Sequence, residues 1–283
     1  MSARIDVRKT YKLYINGEFP RSESGRTYPA LNGDGEVVAR VALASRKDLR
    51  DAVRAAREAQ HKWAAKSGYN RGQILYRIAE MIEDRAGTFI EQLIIGGSSS
   101  AKARAELTRS VDRMVWYAGW SDKFAQIYGN LNPVAGPFFN ISAPEPTGVV
   151  GIIAAEEPAL LAVVSRLAPV MLSGNTAVLV ASHAQPMPAI TFSEALESSD
   201  VPPGVVNILT GSAAELIPWM ADHMDVNAID VAGASEEGRL RAQEGAVHNV
   251  KRVIGEDGYR DFQSPYLIAA FTETKTVWHP KGL

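Results

Sequence analysis

Cysteine is absent from this chain of 283 residues. The absence excludes disulfides, thiolate metal sites and a cysteine nucleophile within the chain. The sequence also has no Gly-x-Ser-x-Gly elbow and no Walker phosphate-binding motif. Five histidines are present and share no metal-ligand spacing: His61, His183, His223, His248 and His279. We therefore predict no metal site and assign no catalytic residue.

Strong charge and long apolar runs are lacking too. A net charge of −2 and a pI near 6.2 give no basic surface for nucleic acid and no polybasic membrane patch. No run approaches the roughly 20 apolar residues of a membrane helix, and residues 1–17 lack the apolar segment of a signal peptide. With 46% hydrophobic and 22% charged residues, we expect a cytoplasmic globular protein that binds neither nucleic acid nor membrane.

A βαβαβ pattern fills residues 144–211. Its strands are short, rich in Val, Ile and Leu, and do not alternate with polar residues, which is typical of a parallel sheet buried on both faces. The predicted strands are 149–153, 176–180 and 204–209, joined by helices 160–171 and 189–198. The pattern continues with helix 215–221, strand 227–231, a helix to about residue 246 and strand 251–254. The sequence predicts an α/β fold, a Rossmann-like parallel sheet with flanking helices.

An N-terminal helical segment precedes this sheet. Ser45 and Asp48 form a capping-box pattern at the start of the first helix. A second helix is predicted from about Asn70 through Ile90, and a third continues to Phe124, each with an apolar stripe at helical spacing. Before them, a hairpin is predicted around the Asn16-Gly17 turn, with residues 11–15 as its first strand.

Two further segments predict a small antiparallel sheet. Residues 138–142 read as an extended strand, and residues 271–280 alternate in the manner of a strand. Between the last parallel strand and the second of these segments, residues 255–263 are polar and rich in turn formers.

The order of these blocks resembles the aldehyde dehydrogenase superfamily. The similar motifs are Lys-Leu-Tyr-Ile-Asn-Gly-Glu-Phe at 12–19, Trp-Tyr-Ala-Gly-Trp at 116–120 and Glu-Pro-Thr-Gly-Val-Val-Gly at 145–151. The resemblance implies a cofactor-type domain over 1–129 and 144–254. It also implies an oligomerisation (bridging) sheet from 130–143 and 264–283, and a linker, 255–263, in place of the catalytic domain.

The chemistry of that superfamily is not retained. Its nucleophilic cysteine is missing, and the asparagine that stabilises the oxyanion aligns with Glu157, whose carboxylate would repel a developing alkoxide. Glu156 replaces the neighbouring tryptophan. We interpret Glu156 and Glu157 as first-turn acids that complement the dipole of the following helix. Glu256 follows the last strand, where the resemblance would place a catalytic glutamate, and we interpret it as a solvated linker carboxylate.

The dinucleotide site is only partly retained. The lysine and glutamate that hold the ribose correspond to Val180 and His183, and a valine side chain offers no hydrogen bond. The pyrophosphate turn corresponds to residues 231–234. Gly233 and Gly238 keep the backbone of a helix N-terminus that can hold an anion, and they are the two cofactor-binding candidates. We predict that NAD(P) binding is weak or absent.

Three hypotheses follow. The first is a non-catalytic aldehyde dehydrogenase-like subunit, a pseudoenzyme that assembles with itself or with an active aldehyde dehydrogenase. In it Phe138–Ala143 and Phe271–Trp278 pair in one sheet, and Phe271, Val277 and Trp278 contact another subunit. The second is an NAD(P)-dependent oxidoreductase of different activity. The third, a truncated dehydrogenase with residual activity, is opposed by the missing cysteine.

Overall fold

The computed structural model describes residues 9–282. Within them the chain forms eleven strands, arranged in three sheets, and ten helices. The strands are β1 (Thr10–Tyr11), β2 (Thr27–Leu31), β3 (Val37–Ala42), β4 (Asn130–Asn132), β5 (Phe138–Pro146), β6 (Val149–Ile153), β7 (Thr176–Val180), β8 (Val206–Leu209), β9 (Ala228–Asp230), β10 (Arg252–Ile254) and β11 (Thr272–Pro280). The helices are α1 (Arg46–Ala64), α2 (Gly68–Asp84), α3 (Ala86–Ile95), α4 (Ser100–Ala118), α5 (Phe124–Tyr128), α6 (Leu161–Leu172), α7 (Met187–Glu197), α8 (Ala213–Asp222), α9 (Glu236–Val247) and α10 (Pro265–Ala270).

The central sheet has five parallel strands in the order β10-β9-β6-β7-β8. The chain enters at β6, runs outward through β7 and β8, and then returns to the other side of β6 with β9 and β10. Residues of β6, β7, β8 and β9 are buried, as expected for a sheet covered on both faces. The predicted α/β, Rossmann-like fold is confirmed, and the strand order reverses between β6 and β9.

Helices cover the two faces of this sheet and form two apolar clusters. One face packs against α6 and α7, with α2 and α4 outside them, and holds the larger cluster. The other face packs against α1, α8 and α9 around residues such as Leu49, Leu216 and Met220. The loops that follow β6 and β9 therefore lie at the carboxyl edge of a sheet that helices cover on both faces.

The predicted N-terminal helices form, with one break. Ser45 and Asp48 make the predicted capping box, in which the Ser45 N–H donates to Asp48 Oδ2 at 2.8 Å. The predicted second helix is two helices, α2 and α3, because Arg85 leaves the helical conformation (φ −97°, ψ 15°) and its guanidinium donates to the Met81 carbonyl at 3.2 Å. The third ends earlier than predicted, and Phe124 begins the separate helix α5.

The predicted N-terminal hairpin is only partly correct. Asn16 and Gly17 have the positive φ values, 55° and 77°, of the predicted turn, and Ile15 bridges Glu18 across it. Residues 11–15 do not form one hairpin strand, however. Tyr11 belongs to β1, which pairs parallel with β3, while the Tyr14 N–H donates to the Ile208 carbonyl at 2.9 Å. Tyr14 therefore pairs with the edge strand β8, and this pairing takes the place of a local hairpin strand.

A separate antiparallel sheet has the order β11-β5-β4, and we call it the bridging sheet. Strand β11 pairs with β5 over nine positions, from Thr272 opposite Pro146 to Pro280 opposite Phe138. The predicted pairing of these two segments is confirmed. The predicted start of the second segment is wrong, because Phe271 is not a strand residue. It closes α10, a helix not predicted from the sequence, and its side chain is fully buried in the larger cluster.

Candidate functional site

Gly233 lies where the loop after β9 meets the loop after β6. Its N–H donates to the Ile153 carbonyl at 3.0 Å. A Cβ at this position would lie 2.2 Å from the Ala154 carbonyl carbon and 2.3 Å from the Ala155 nitrogen, which only glycine avoids. Gly233 therefore sets the close approach of the two loops at the point where the strand order reverses.

Gly238 lies in the first turn of α9. Its N–H donates to Oγ of Ser235, the residue that caps this helix, at 3.2 Å. A Cβ at Gly238 would meet Ile217 Cδ1 at 2.8 Å, so glycine lets α9 pack against α8. Glu236 and Glu237 place two carboxylates in the same turn, where they complement the helix dipole. The structure gives both candidate glycines a packing role, and their contact with a cofactor stays a prediction.

A cavity of about 380 Å³ lies beside Gly238, between α8 and α9. Its apolar lining includes Ala214, Ile217 and Pro218, and its charged lining residues are Glu237, Arg241 and Glu244. The cavity is large enough for part of a nucleotide-sized ligand.

Glu156 and Glu157 do not cap a helix, so that interpretation is wrong. Glu156 Oε2 accepts hydrogen bonds from Ser182 Oγ at 2.7 Å and from the Ala184 N–H at 2.9 Å, which ties the loop after β6 to the loop after β7. Glu157 Oε1 accepts from Gln185 Nε2 at 3.3 Å. Both residues precede α6 by several positions, because the chain turns at Pro158 before the helix begins.

The acid at the N-terminus of α6 is Glu106, which α4 supplies. Its Oε1 accepts from the Leu160 N–H at 2.7 Å and from the Leu161 N–H at 3.2 Å. Burial raises the pKa of Glu106 above its ordinary value, although these two hydrogen bonds oppose the shift. The loop after β6 is thus held by α4 on one side and by the loop after β7 on the other.

Val180 and His183, which correspond by resemblance to the ribose-binding lysine and glutamate, make other contacts in this structure. Val180 is fully buried in the smaller cluster. The His183 ring stacks on the Tyr28 ring of β2, with centroids 4.4 Å apart and an interplanar angle of 9°. Burial raises the pKa of Tyr28, and the nearby Glu156 carboxylate raises it further. An aromatic stack therefore covers the end of β7.

A buried ion pair lies at the carboxyl end of β9. Asp230 Oδ2 is 3.5 Å from Arg166 Nη1 of α6, and both side chains are almost completely buried. Asp230 Oδ1 accepts from the Ala232 N–H at 3.0 Å. Burial raises the pKa of Asp230, and the Arg166 charge opposes that shift. Sequence reasoning missed this pair, although each residue is a lone charge in an apolar element, which was the available signal.

Residues of the 255–263 linker reach the same region. Asp261 Oδ1 accepts from Arg113 Nη2 at 2.8 Å, and the second carboxylate oxygen pairs with Arg109. The Tyr259 hydroxyl lies 3.4 Å from Ser165 Oγ. Glu256 is exposed, in agreement with its interpretation as a solvated linker carboxylate. The linker thus supplies side chains to a polar cluster shared with α4 and α6.

Residues 9–282 offer neither a metal site nor a membrane-spanning helix. No group of three or more His, Asp or Glu side chains in this range is arranged to hold a metal ion. No helix in the same range has the length and hydropathy needed to cross a bilayer.

The strand order and the glycine contact at its reversal define a protein of the Rossmann-fold class. Residues 20–264 match the aldehyde dehydrogenase family. The chain is 33% identical over 273 residues to cytosolic 10-formyltetrahydrofolate dehydrogenase of Pongo abelii, covering 93% of this chain and 30% of that protein. It is 34% identical to retinal dehydrogenase 2 of Mus musculus, covering 94% of this chain and 51% of that protein. The chain belongs to the aldehyde dehydrogenase family, as the resemblance implied.

Solved structures agree with this assignment. A putative aldehyde dehydrogenase from Burkholderia cenocepacia superposes with a TM-score of 0.81 at 29% identity, covering 86% of this chain and 49% of that one. The NAD+ complex of aldehyde dehydrogenase from Bacillus cereus superposes with a TM-score of 0.81 at 25% identity, covering 87% and 50%. The chain therefore spans about half the length of these relatives, and less than a third of the formyltetrahydrofolate enzyme.

Proposed function

We propose that this chain is a non-catalytic aldehyde dehydrogenase-like subunit that assembles, with itself or with an active aldehyde dehydrogenase, through the bridging sheet. The observation that carries the proposal is an uncovered apolar row on that sheet. Leu131, Ile141 and Val277 lie directly opposite one another on its three strands, with exposed fractions of 67%, 48% and 49%. Such a row, on a three-stranded sheet, needs a covering surface.

The two faces of the bridging sheet differ. Phe139 lies on the same face as Ile141, because alternate residues of a strand share a face. The opposite face is polar at its centre, where Asn132 Nδ2 donates to Asn140 Oδ1 at 2.6 Å and to Ser142 Oγ at 2.8 Å. We name the face of Leu131, Phe139, Ile141 and Val277 the apolar face, and we propose it as the contact.

The proposed contact keeps one of the three predicted contact residues. Val277 and Trp278 are consecutive in β11 and therefore point to opposite faces. Trp278 makes an edge-to-face contact with Phe138, with centroids 5.8 Å apart. Phe271 is buried in the chain's own core and is not available to a partner. Of the three predicted residues, only Val277 belongs to the apolar face.

The non-catalytic part of the proposal rests on the residues present. The chain has no cysteine to attack an aldehyde, and Glu157 stands where the resemblance requires an oxyanion donor. The 255–263 linker joins β10 directly to α10, which supports the interpretation that it replaces a catalytic domain. Purified chain supplied with NAD or NADP is expected to show no aldehyde oxidation above background. Turnover that persists after contaminating dehydrogenase is removed would contradict this.

Assembly is tested with a matched pair of substitutions on β11. Val277→Asp places a charge on the apolar face, and Thr274→Asp places the same charge on the opposite face of the same strand. Light scattering and pull-down with an aldehyde dehydrogenase should show assembly for the wild type and for Thr274→Asp, and loss of assembly for Val277→Asp. Circular dichroism confirms that both variants fold. If Val277→Asp assembles like the wild type, the apolar face is not the interface.

The alternative is an NAD(P)-dependent oxidoreductase. The Rossmann strand order and the cavity beside Gly238 favour it. Against it, Val180 and His183 replace two ribose contacts worth roughly 1.5–3 kcal/mol each, so a micromolar site would weaken to about the millimolar range. Calorimetric titration with NAD separates the two functions: a millimolar or weaker Kd supports the non-catalytic subunit, and a micromolar Kd supports the oxidoreductase.

A further inference from the structure

We propose that Arg109 and Arg113 of α4 form a binding site for a small monocarboxylate, and that Asp261 of the linker occupies this site from within the chain. The Asp261 carboxylate lies between the two guanidinium groups, 2.8 Å from Arg113 Nη2 and paired with Arg109 through its other oxygen. Paired guanidinium donors match a planar carboxylate in geometry and charge. The site does not depend on the proposed assembly.

Arg113 is a buried cation, and its guanidinium requires a negatively charged partner. Its side chain is 6% exposed, its Nη1 donates to Ser165 Oγ at 2.5 Å, and its Nε has no partner among residues 9–282. A buried guanidinium is costly unless an acidic group lies beside it. The buried Asp230 pairs instead with Arg166, so the acid that serves Arg113 is Asp261. The arginine is fixed in a helix, whereas its acid comes from a polar, partly exposed linker.

A cavity leads from solvent to this ion pair. It measures about 430 Å³, and its lining includes Arg109 and Asp261, the residue that contacts Arg113. Ala105, Pro158 and Ala159 form an apolar wall next to them. A ligand whose carboxylate took the place of Asp261 would lay its aliphatic part along this wall.

The charged residues around the site favour a ligand that carries one negative charge. With Asp261 withdrawn, the cavity lining has two cations, Lys102 and Arg109, and two carboxylates, Glu106 and Glu157. Arg113 adds a third cation next to the position of the Asp261 carboxylate. One monocarboxylate restores neutrality, whereas a phosphate dianion would add a second negative charge close to two carboxylates. The chemical class is therefore a short aliphatic monocarboxylate.

The tethered acid determines the affinity of the intact chain. A carboxylate on a short linker competes with free ligand at an effective concentration in the millimolar range. Free ligand is therefore expected to bind the wild type weakly and to bind tightly once Asp261 is removed. The linker side chain acts as an internal competitor for the site.

The test is calorimetric titration of the full chain with butyrate. Asp261→Ala should bind at least tenfold more tightly than the wild type, and adding Arg109→Ala should remove that gain. The matched control in the Asp261→Ala background is Arg104→Ala, an exposed arginine of the same helix that does not line the cavity, and it should keep the gain. Equal affinity of wild type and Asp261→Ala, or loss with Arg104→Ala, would overturn the site.

Two further measurements test the site without comparing the butyrate affinities of the wild type and Asp261→Ala. Affinity for Asp261→Ala should rise about fourfold per methylene from acetate to butyrate, because each added methylene is buried on the apolar wall. Butyrate should also restore the Tm that Asp261→Ala loses, and sodium chloride at the same ionic strength should not. Equal recovery with chloride, or an affinity independent of chain length, would show general salt screening in place of a site.

Discussion

Asn175 Nδ2 donates a hydrogen bond to the carbonyl oxygen of Phe271 at 2.8 Å. The Asn175 Oδ1 accepts from the Gly148 N–H at 2.7 Å, just before β6 begins. One buried amide therefore joins the end of α10 to the start of the central strand. The segment that leads into the bridging sheet is anchored in the parallel sheet.

Removing this amide should destabilise the whole chain. Asn175→Ala leaves the Gly148 N–H buried without its acceptor, and the Phe271 carbonyl keeps only the hydrogen bond from the Thr147 N–H. We expect a loss of about 1–3 kcal/mol in the free energy of unfolding. Urea denaturation measures it. Asn130→Ala, on the exposed edge strand β4, should change stability by less than about 0.5 kcal/mol. Similar losses in the two variants would show that the Asn175 contacts contribute little.

Phe271 and Trp278 should differ in their effect on stability. Phe271→Ala opens a cavity in the larger apolar cluster and should cost about 3–5 kcal/mol. Trp278 is 58% exposed, so Trp278→Ala should cost less than about 1 kcal/mol. Thermal and urea unfolding at low protein concentration compare the two without a contribution from assembly. A larger loss for Trp278→Ala than for Phe271→Ala would contradict the burial of Phe271.

Gly233 should not accept a side chain. Gly233→Ala places a methyl group against the backbone of Ala154 and Ala155, and we expect a loss of more than about 3 kcal/mol or failure to fold. Gly87→Ala is the matched control, because an added Cβ meets nothing within 4 Å among residues 9–282 beyond its chain neighbours and its own helix backbone. Alanine also favours the helix α3 by about 0.4–1 kcal/mol. The Tm should fall for the first variant and rise slightly for the second. A mild effect at Gly233 would mean that the two loops can separate.

Lys251 should make stability depend on pH in the alkaline range. Its ammonium donates to the carbonyl oxygens of Met220 at 3.1 Å and His223 at 2.9 Å, and desolvation lowers its pKa from 10.5 to about 8. Between these two values the unfolded chain holds a proton that the folded chain has released. The free energy of unfolding should therefore rise as pH increases through this window, and the contribution should be constant below it.

Urea denaturation at several pH values from 7 to 10 measures this dependence. Lys251→Met should remove the rise, and Lys62→Met, at an exposed position of α1, should leave it in place. A rise that persists in Lys251→Met would assign it to another group.

The sequence predicts the parallel sheet well because its signal is local. Strands β6 and β7 are found at the predicted residues, since each is an apolar run bounded by turn formers. Helix α10 was missed although a local signal exists. Pro265 falls in the segment 264–283 that was predicted for the bridging sheet, but it begins the helix, where proline is favourable, and Ser264 Oγ caps it by accepting the Tyr266 N–H at 3.2 Å.

The candidate site is less predictable because it depends on contacts between distant residues. The need for glycine at position 233 comes from the backbone of Ala154, and the acid at the start of α6 comes from Glu106 of another helix. The ion pairs of Asp261 and Asp230 join elements that no spacing rule connects. Resemblance to a family identified the positions of Glu157 and His183 and could not supply their present partners.

The pairing of β11 with β5 has a consequence for how the chain folds. All five strands of the parallel sheet lie between β5 and β11 in the sequence, and the hydrogen bond from Asn175 to Phe271 spans 96 positions. Closing so long a loop costs entropy before any contact repays it, so this pairing forms late and slows folding. In the native protein the Phe271 ring fills part of the larger apolar cluster. A chain in which this pairing has not yet formed would expose that apolar surface, and misassociation during folding would begin there.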